Sequence, residues 1–296
     1  MTTTNNGLLL IDKAQGLTSH DVVARVRRIL GEKRVGHAGT LDPMATGLLI
    51  LGVGASTRLL RFAQAETKHY TGTVKFGIAT DSLDADGVVI ATKEVPALTP
   101  ALLLSAADGF IGEQDQIPPM VSALKINGKR LHELAREGIE VERQARRIVI
   151  SNFTLTPTAT NDEWDFSVTC SVGTYVRVLL SDLAQALGTL GHLTALRREA
   201  SGDHVVTDAL TIENLESLVK EGKSVLRPPS DFVHALRQVV VSDEVVHKMR
   251  MGQRFILEDV APQPEVAVLD QTGQLVGIIR PRGEGWQPEL VMPAVG

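Results

Sequence analysis

Hydrophobic residues along this chain fall into short blocks whose spacing keeps changing. Gly7–Ile11 (GLLLI) and Leu48–Gly54 (LLILGVG) are uninterrupted apolar runs that suit buried strands. Between them Thr18 or Ser19 opens a helix with Val22, Val26, Ile29 and Leu30 on one face, Arg25 and Arg28 on the other, and Gly31 as its stop. His69–Gly77 alternates as a strand, and Thr80–Gly87 (TDSLDADG) reads as a turn before VVIAT. Thr99 caps a helix that runs to about Asp108. RIVISNFTL and WDFSVTCSV alternate as strands, and Tyr175–Leu187 carries Val178, Leu179, Leu183, Ala186 and Leu187 at helical spacing before Gly188. Beyond about residue 235, short runs between Gly and Pro turns predict a small β-rich appendage, with Arg227–Phe232 (RPPSDF) as its linker. Strands interleaved with helices predict an α+β fold with a mixed-sheet core.

One segment breaks this rhythm. Ile117–Arg147 begins with Pro118-Pro119, scatters basic residues throughout, and shows one helical patch around Leu131–Arg136. Long excursions of this kind usually serve function. Composition changes little: 296 residues, 43% hydrophobic and 22% charged, are those of a globular protein with a real core. The N-terminal segment lacks a basic n-region and a sufficient apolar run for a secretory signal, and no stretch nears the roughly eighteen apolar residues of a membrane span. A cytoplasmic protein without membrane attachment is expected. Charge is more informative by distribution than by sum. The net charge is −5, yet the first eighty residues hold ten Lys/Arg against five Asp/Glu, while residues 81–120 hold one against seven. A net-acidic chain can therefore present a basic groove to a polyanion.

Candidate chemistry centres on Val35–Gly47, VGHAGTLDPMATG. Pro43 biases Asp42 toward an extended or turn geometry that presents its carboxylate, and Gly36, Gly39 and Gly47 permit tight turns and close approach by a large substrate. His37 lies five residues upstream of Asp42. On these residues alone, a catalytic carboxylate and an ordinary turn both remain open. Other fragments fail. His132-Glu133 lacks a second histidine because Arg136 stands there, Gly52–Gly54 lacks the rest of a dinucleotide fingerprint, and the Asp84/Asp86 turn lacks the first and last ligands of a calcium loop. Cys170 is the one cysteine, so neither a disulfide framework nor a thiolate metal cluster is expected.

The stretch GHAGTLDPMATGLLILGVGAST closely resembles the active-site loop of the TruB-type tRNA pseudouridine synthases. LLLIDKAQGLTSHDVV, KHYTGTVKFGIATDSLDADG, IPPMVSALKINGKRLHELAREGIEVE, CSVGTYVRVLLSDLAQALG and GHLTALRREASG resemble further blocks of that family, in the family's order, over about residues 7–210. Residues 238–296 loosely resemble a PUA-like RNA-binding module. The resemblance implies a catalytic domain over 1–234, with 117–147 as an RNA-gripping insertion, and a PUA-like domain over 235–296. It implies isomerisation of the T-loop uridine of tRNA, position 55, to pseudouridine after the base is flipped from its stack.

Carried over residue by residue, Asp42 matches the family's essential aspartate. Arg177 matches the arginine that pairs with it and favours its charged form. Tyr70 matches the tyrosine that stacks on the target base, and Leu196 the apolar wall opposite. Lys13 and Tyr175 match pocket residues, and His37 the histidine that fills the space left by flipped nucleotides. Lys125, Lys129 and Arg130, with Arg25, Arg28, Lys33 and Arg34, are expected phosphate contacts. Val121 departs from the aromatic residue common after PPM. The rearrangement oxidises nothing, so the family implies no cofactor and no metal. The implied partner is the tRNA T-arm stem-loop, with no protein partner and a monomer expected. The competing readings are a tRNA-folding chaperone and an unrelated aspartate-nucleophile hydrolase.

Overall fold

The computed structural model describes residues 6–64, 67–122, 124–126, 129–131, 134, 137–258, 260–261 and 263–294. The chain begins β1 (Gly7–Lys13), α1 (Ser19–Leu30), β2 (Val35–Ala38), β3 (Thr46–Val53) and β4 (Thr67–Phe76). The hairpin of β5 (Ile78–Thr80) and β6 (Val89–Thr92) and the helix α2 (Pro100–Asp108) lead to β7 (Gly112–Gln116). Short strands β8 (Lys125–Ile126) and β9 (Lys129–Arg130) pair with each other within the basic excursion. Then come β10 (Arg146–Pro157), β11 (Glu163–Ser171), α3 (Val176–Ala186), β12 (Gly191–Ser201), β13 (His204–Val205) and α4 (Ile212–Lys220). The remainder holds β14 (Gln238–Val240), α5 (Asp243–Arg250), β15 (Val266–Leu269), β16 (Leu275–Arg282) and β17 (Gly285–Val291).

Among the described residues the main sheet has the order β1-β3-β12-β4-β11-β10-β7, with β2 on β3 and β13 on β12. Its neighbours are antiparallel except β3 and β12, which run parallel and touch through Thr46–Arg197 and Gly47–Arg198. The sheet is therefore mixed, as the alternating pattern predicts. The parallel contact brings the start of β3, where the Asp42 loop ends, against the middle of β12.

The two apolar runs are buried because β1 and β3 are covered on both faces. Leu9, Ile11, Leu49 and Leu51 pack on α1 and α4 through Val22, Val26, Ile212 and Leu215. Leu8, Leu10, Leu48 and Ile50 face Phe232, Val233, Ala267 and Ile278. The other half of the sheet packs Val74, Phe153, Phe166 and Val168 on α2 and α3. Helix α1 begins as its sequence predicts: the Thr18 side chain accepts from the Asp21 backbone while Asp21 returns a bond to Thr18, a reciprocal cap.

The proline-bearing stretch Arg227–Phe232 does not hang free as a linker. Arg227 exchanges backbone hydrogen bonds with Leu8, and Phe232 is buried against β1 and β3, since an exposed phenylalanine there would forfeit its burial. The C-terminal sheet runs β14-β15-β16-β17 and includes a helix, α5, that the β-rich expectation omitted. No helix among the described residues is long and apolar enough to cross a membrane.

The β3–β12 contact depends on Gly47. Its φ is +98°, and a Cβ there would lie 2.3 Å from the carbonyl oxygen of Arg198 and 2.7 Å from its backbone nitrogen. Gly47→Ala is expected to destabilise the protein by about 2–5 kcal/mol, from backbone strain plus overpacking. Urea unfolding followed by circular dichroism measures this, and a midpoint equal to wild type would contradict the close packing assigned here.

Candidate active site

Asp42 sits on the loop between β2 and β3, which is pinned from beneath by the segment joining β1 to α1. Ser19 Oγ accepts from Leu41 N at 3.0 Å, and Gly16 N donates to Pro43 O at 2.8 Å. Lys13, fully buried, donates from Nζ to the carbonyls of Leu17 (2.6 Å), Ala14 (3.1 Å) and Pro43 (3.3 Å). Burial lowers its pKa to about 8, with the Asp42 charge opposing that shift. Three carbonyls fix the ammonium as a strut under the loop, and its position is outside the cavity described next.

Arg177, the second residue of α3, meets Asp42 from the opposite side. Its helix lacks a side-chain cap; the Gln116 amide instead donates to Tyr175 O at 3.1 Å and accepts from Tyr175 N at 2.8 Å, fixing where α3 starts. The guanidinium is only 2% exposed and fully engaged. Nε donates to Asp42 Oδ2 at 2.9 Å, and Nη2 donates to Val121 O at 2.9 Å. Nη1 donates to Ser82 O and lies 3.5 Å from Asp84 Oδ2. Two carboxylates and two carbonyls therefore hold one rigid fork, and Asp42 is 36% exposed. Val121, at the position where the family commonly has an aromatic, serves Arg177 through its backbone carbonyl.

Asp42 and Arg177 line a cavity of about 320 Å³ that also takes in Tyr70, Tyr175 and Leu196. Tyr70 on β4 pairs across the sheet with Arg198 and Val168, and Leu196 stands two residues from Arg198 on the same face of β12. Burial pushes both tyrosine phenols up, so each is a neutral hydroxyl at neutral pH. A carboxylate held by a guanidinium, beside an aromatic face and an aliphatic one, suits a flat polar ring set between the two faces.

Other predicted residues fall elsewhere. His37 is on β2 rather than in the cavity; it packs edge-on against His20, with ring centroids 5.5 Å apart. Burial lowers its pKa, and the His20 charge adds to this. Lys125, Lys129 and Arg130 have described backbones on β8 and β9, but their side chains lie outside the described residues. Arg25, Arg28, Lys33 and Arg34 are exposed.

Three charged groups were missed in the sequence. Asp84 sits in the turn dismissed as a broken calcium loop, and its carboxylate completes the grip on Arg177. Lys68 lines the cavity two residues before Tyr70, and that spacing on one strand face was a legible signal. Arg198 is 1% exposed in β12, donating to Leu48 O at 2.7 Å and Gly39 O at 3.1 Å. No cluster of three or more His, Cys, Asp or Glu suited to a metal occurs among the described residues.

Residues 27–176 match the model of the TruB family pseudouridylate synthase, N-terminal domain. A protein of Opitutus terrae named tRNA pseudouridine synthase B is 50% identical over 213 residues, which are 72% of this chain and 88% of that one. A protein of the same name from Arthrobacter sp. is 39% identical over 298 residues, covering 97% of this chain and 96% of its own. In fold, the chain resembles one in a solved H/ACA RNP bound to a substrate RNA containing 2′-deoxyuridine, with a TM-score of 0.74 at 20% identity over 97% of this chain and 85% of that one. Half the chain under the family model, and near-full-length relatives at such identity, place this isomerase in the TruB family of pseudouridine synthases.

Proposed function

We propose that the protein converts the T-loop uridine of tRNA, position 55, to pseudouridine, with Asp42 as the catalytic carboxylate, Arg177 holding it and Tyr70 facing the flipped base. The observation that carries this reading is the 2.9 Å Asp42–Arg177 pair at the wall of a cavity flanked by Tyr70 and Leu196, in a chain of this family. The relatives' shared name, tRNA pseudouridine synthase B, supports tRNA as the substrate.

The chemistry asks little of the protein beyond a charged carboxylate in the right place. The C1′–N1 bond breaks, the uracil turns, and a C1′–C5 bond forms; C5 loses a proton and N1 gains one. Atoms balance without an oxidant or a transferred group. Asp42 supplies the anion, and Arg177 keeps it oriented at a fixed point as RNA enters. Tyr70 and Leu196 give the released ring two faces between which it turns without leaving. Extracting the base costs a few kcal/mol of stacking, roughly offset by such contacts. Phosphate contacts come from the exposed basic residues of α1 and its following loop, and from the excursion 117–147. The same reading divides the chain into a catalytic domain, 1–234, and a PUA-like RNA-binding domain, 235–296.

An unmodified T-arm stem-loop carrying tritium at uridine C5 tests the assignment. Wild type is expected to release tritium, and Asp42→Asn to slow release at least a thousandfold, about 4 kcal/mol in barrier, while binding the RNA as before. Release by Asp42→Asn at the wild-type rate would remove Asp42 from the mechanism; tight binding without release by wild type would favour a chaperone. Arg177→Lys keeps the charge but loses the fork. It is expected to cost about 1–3 kcal/mol of stability through orphaned carbonyls and to lower turnover at least tenfold at saturating RNA. Thermal unfolding and single-turnover rates check both halves, and a variant equal to wild type in each would refute the bridging role.

A further inference from the structure

Among the described residues, no carboxylate pairs with two cations beside the cavity. Lys68 on β4 shares the face of Tyr70, and its ammonium makes no hydrogen bond and no ion pair with a carboxylate among the described residues. Its neighbour is Arg198, whose Nη1 is buried without an acceptor. Both tips converge on Gly39, at the foot of the Asp42 loop: a Cβ on that glycine would lie 3.2 Å from Lys68 Nζ and 3.5 Å from Arg198 Nη1. On its other side Lys68 meets Cys170, whose thiol burial pushes up to about 11, so it offers no negative charge at neutral pH. Burial and Arg198 together lower Lys68 to about 8.

The other buried cations of this site have evident structural uses. Lys13 braces the loop through three carbonyls, Arg177 joins two carboxylates, and Arg198 ties Leu48 to Gly39. Lys68 ties nothing. A desolvated ammonium held against a guanidinium is unfavourable in the free protein, and an incoming anion would relieve it. Its place in the strand indicates which anion. Two residues of strand separate Lys68 from Tyr70 by about 7 Å, so the ammonium stands off the end of the stacked base rather than over it. A flipped nucleotide carries its phosphodiesters there, one sugar away from the base.

We propose that Lys68, backed by Arg198 and admitted by the bare backbone of Gly39, is a substrate-binding residue that grips a phosphodiester flanking the flipped uridine. This rests on the RNA isomerase reading above. The grip fixes the ribose over Asp42, so phosphate and carboxylate define the position of C1′ between them.

Stem-loops with a single neutral methylphosphonate, 5′ or 3′ of the target uridine, test it. Filter binding gives Kd without any need for turnover. One of the two RNAs is expected to bind wild type about tenfold more weakly than the unmodified stem-loop. Lys68→Met should bind the unmodified RNA about tenfold more weakly and show no further loss with that methylphosphonate. Lys68→Arg, which keeps the charge, should retain affinity within threefold. Equal loss from each methylphosphonate in wild type and Lys68→Met would overturn the proposal. So would an unchanged Kd with a reduced saturating rate, which would put Lys68 at the departing uracil instead. Wild type that binds but never releases tritium would count against the isomerase reading alone, because the Kd comparison still decides the phosphate contact.

Discussion

An unmet direction of a buried guanidinium's fork is costly, and Arg177 engages its fork with groups from three separate parts of the chain. Asp42 comes from the loop before β3, Ser82 and Asp84 from the turn after β5, and Val121 from the start of the basic excursion. The arginine comes from α3. None of these segments is adjacent in sequence, and the Asp42 loop also shares an apolar cluster with α3 through Leu41, Met44, Val176 and Leu179. The charge adds to that packing, because leaving any part of the fork unmet inside the protein is costly. The walls of the cavity are thus set by the same side chain that holds Asp42.

The sheet supplies the other half of the geometry. β12 runs parallel to β3 over two residue pairs and antiparallel to β4 over a longer stretch, so it is the strand on which the Asp42 loop and Tyr70 meet. Leu196 and Arg198 alternate along it toward the cavity face. The pairing is interrupted between Arg198 and Ala200, and such irregularities re-aim side chains next to binding sites.

Much of this was legible before any coordinates. The runs Gly7–Ile11 and Leu48–Gly54 read as buried strands because β1 and β3 are covered on both faces. Helix α1 was legible from its cap and periodicity, and the Asp42 loop and Arg177 from blocks resembling one family. What escaped was whatever fold context alone makes possible. The strand β12 contains Arg197, Arg198 and Glu199, a charged cluster that does not look like the middle of a sheet. Arg198 is buried there because carbonyls of β3 and its preceding loop receive it. The strand β7, GEQDQ, is polar and sits at the edge of the sheet among the described residues. Lys13 reads as a pocket lysine and stands instead as a strut, a difference set by three carbonyls far apart or adjacent in sequence. Asp84 failed as a metal ligand and serves as a counter-ion, since the same carboxylate fits either use and only its neighbour decides.

The shared burial of β1 and β3 has a consequence for how the two sheets can behave as parts. Leu8, Leu10, Leu48 and Ile50 lie between the main sheet and the C-terminal one, and Arg61 reaches Glu265 across the same seam at 2.8 Å. The strands that carry the Asp42 loop therefore owe part of their dryness to residues more than two hundred positions later. The C-terminal sheet is less a bead on a string than one half of a laminate. Cutting it away would wet the back of the strand from which the Asp42 loop springs, and exchanging it for another module would require a new surface moulded to those four side chains.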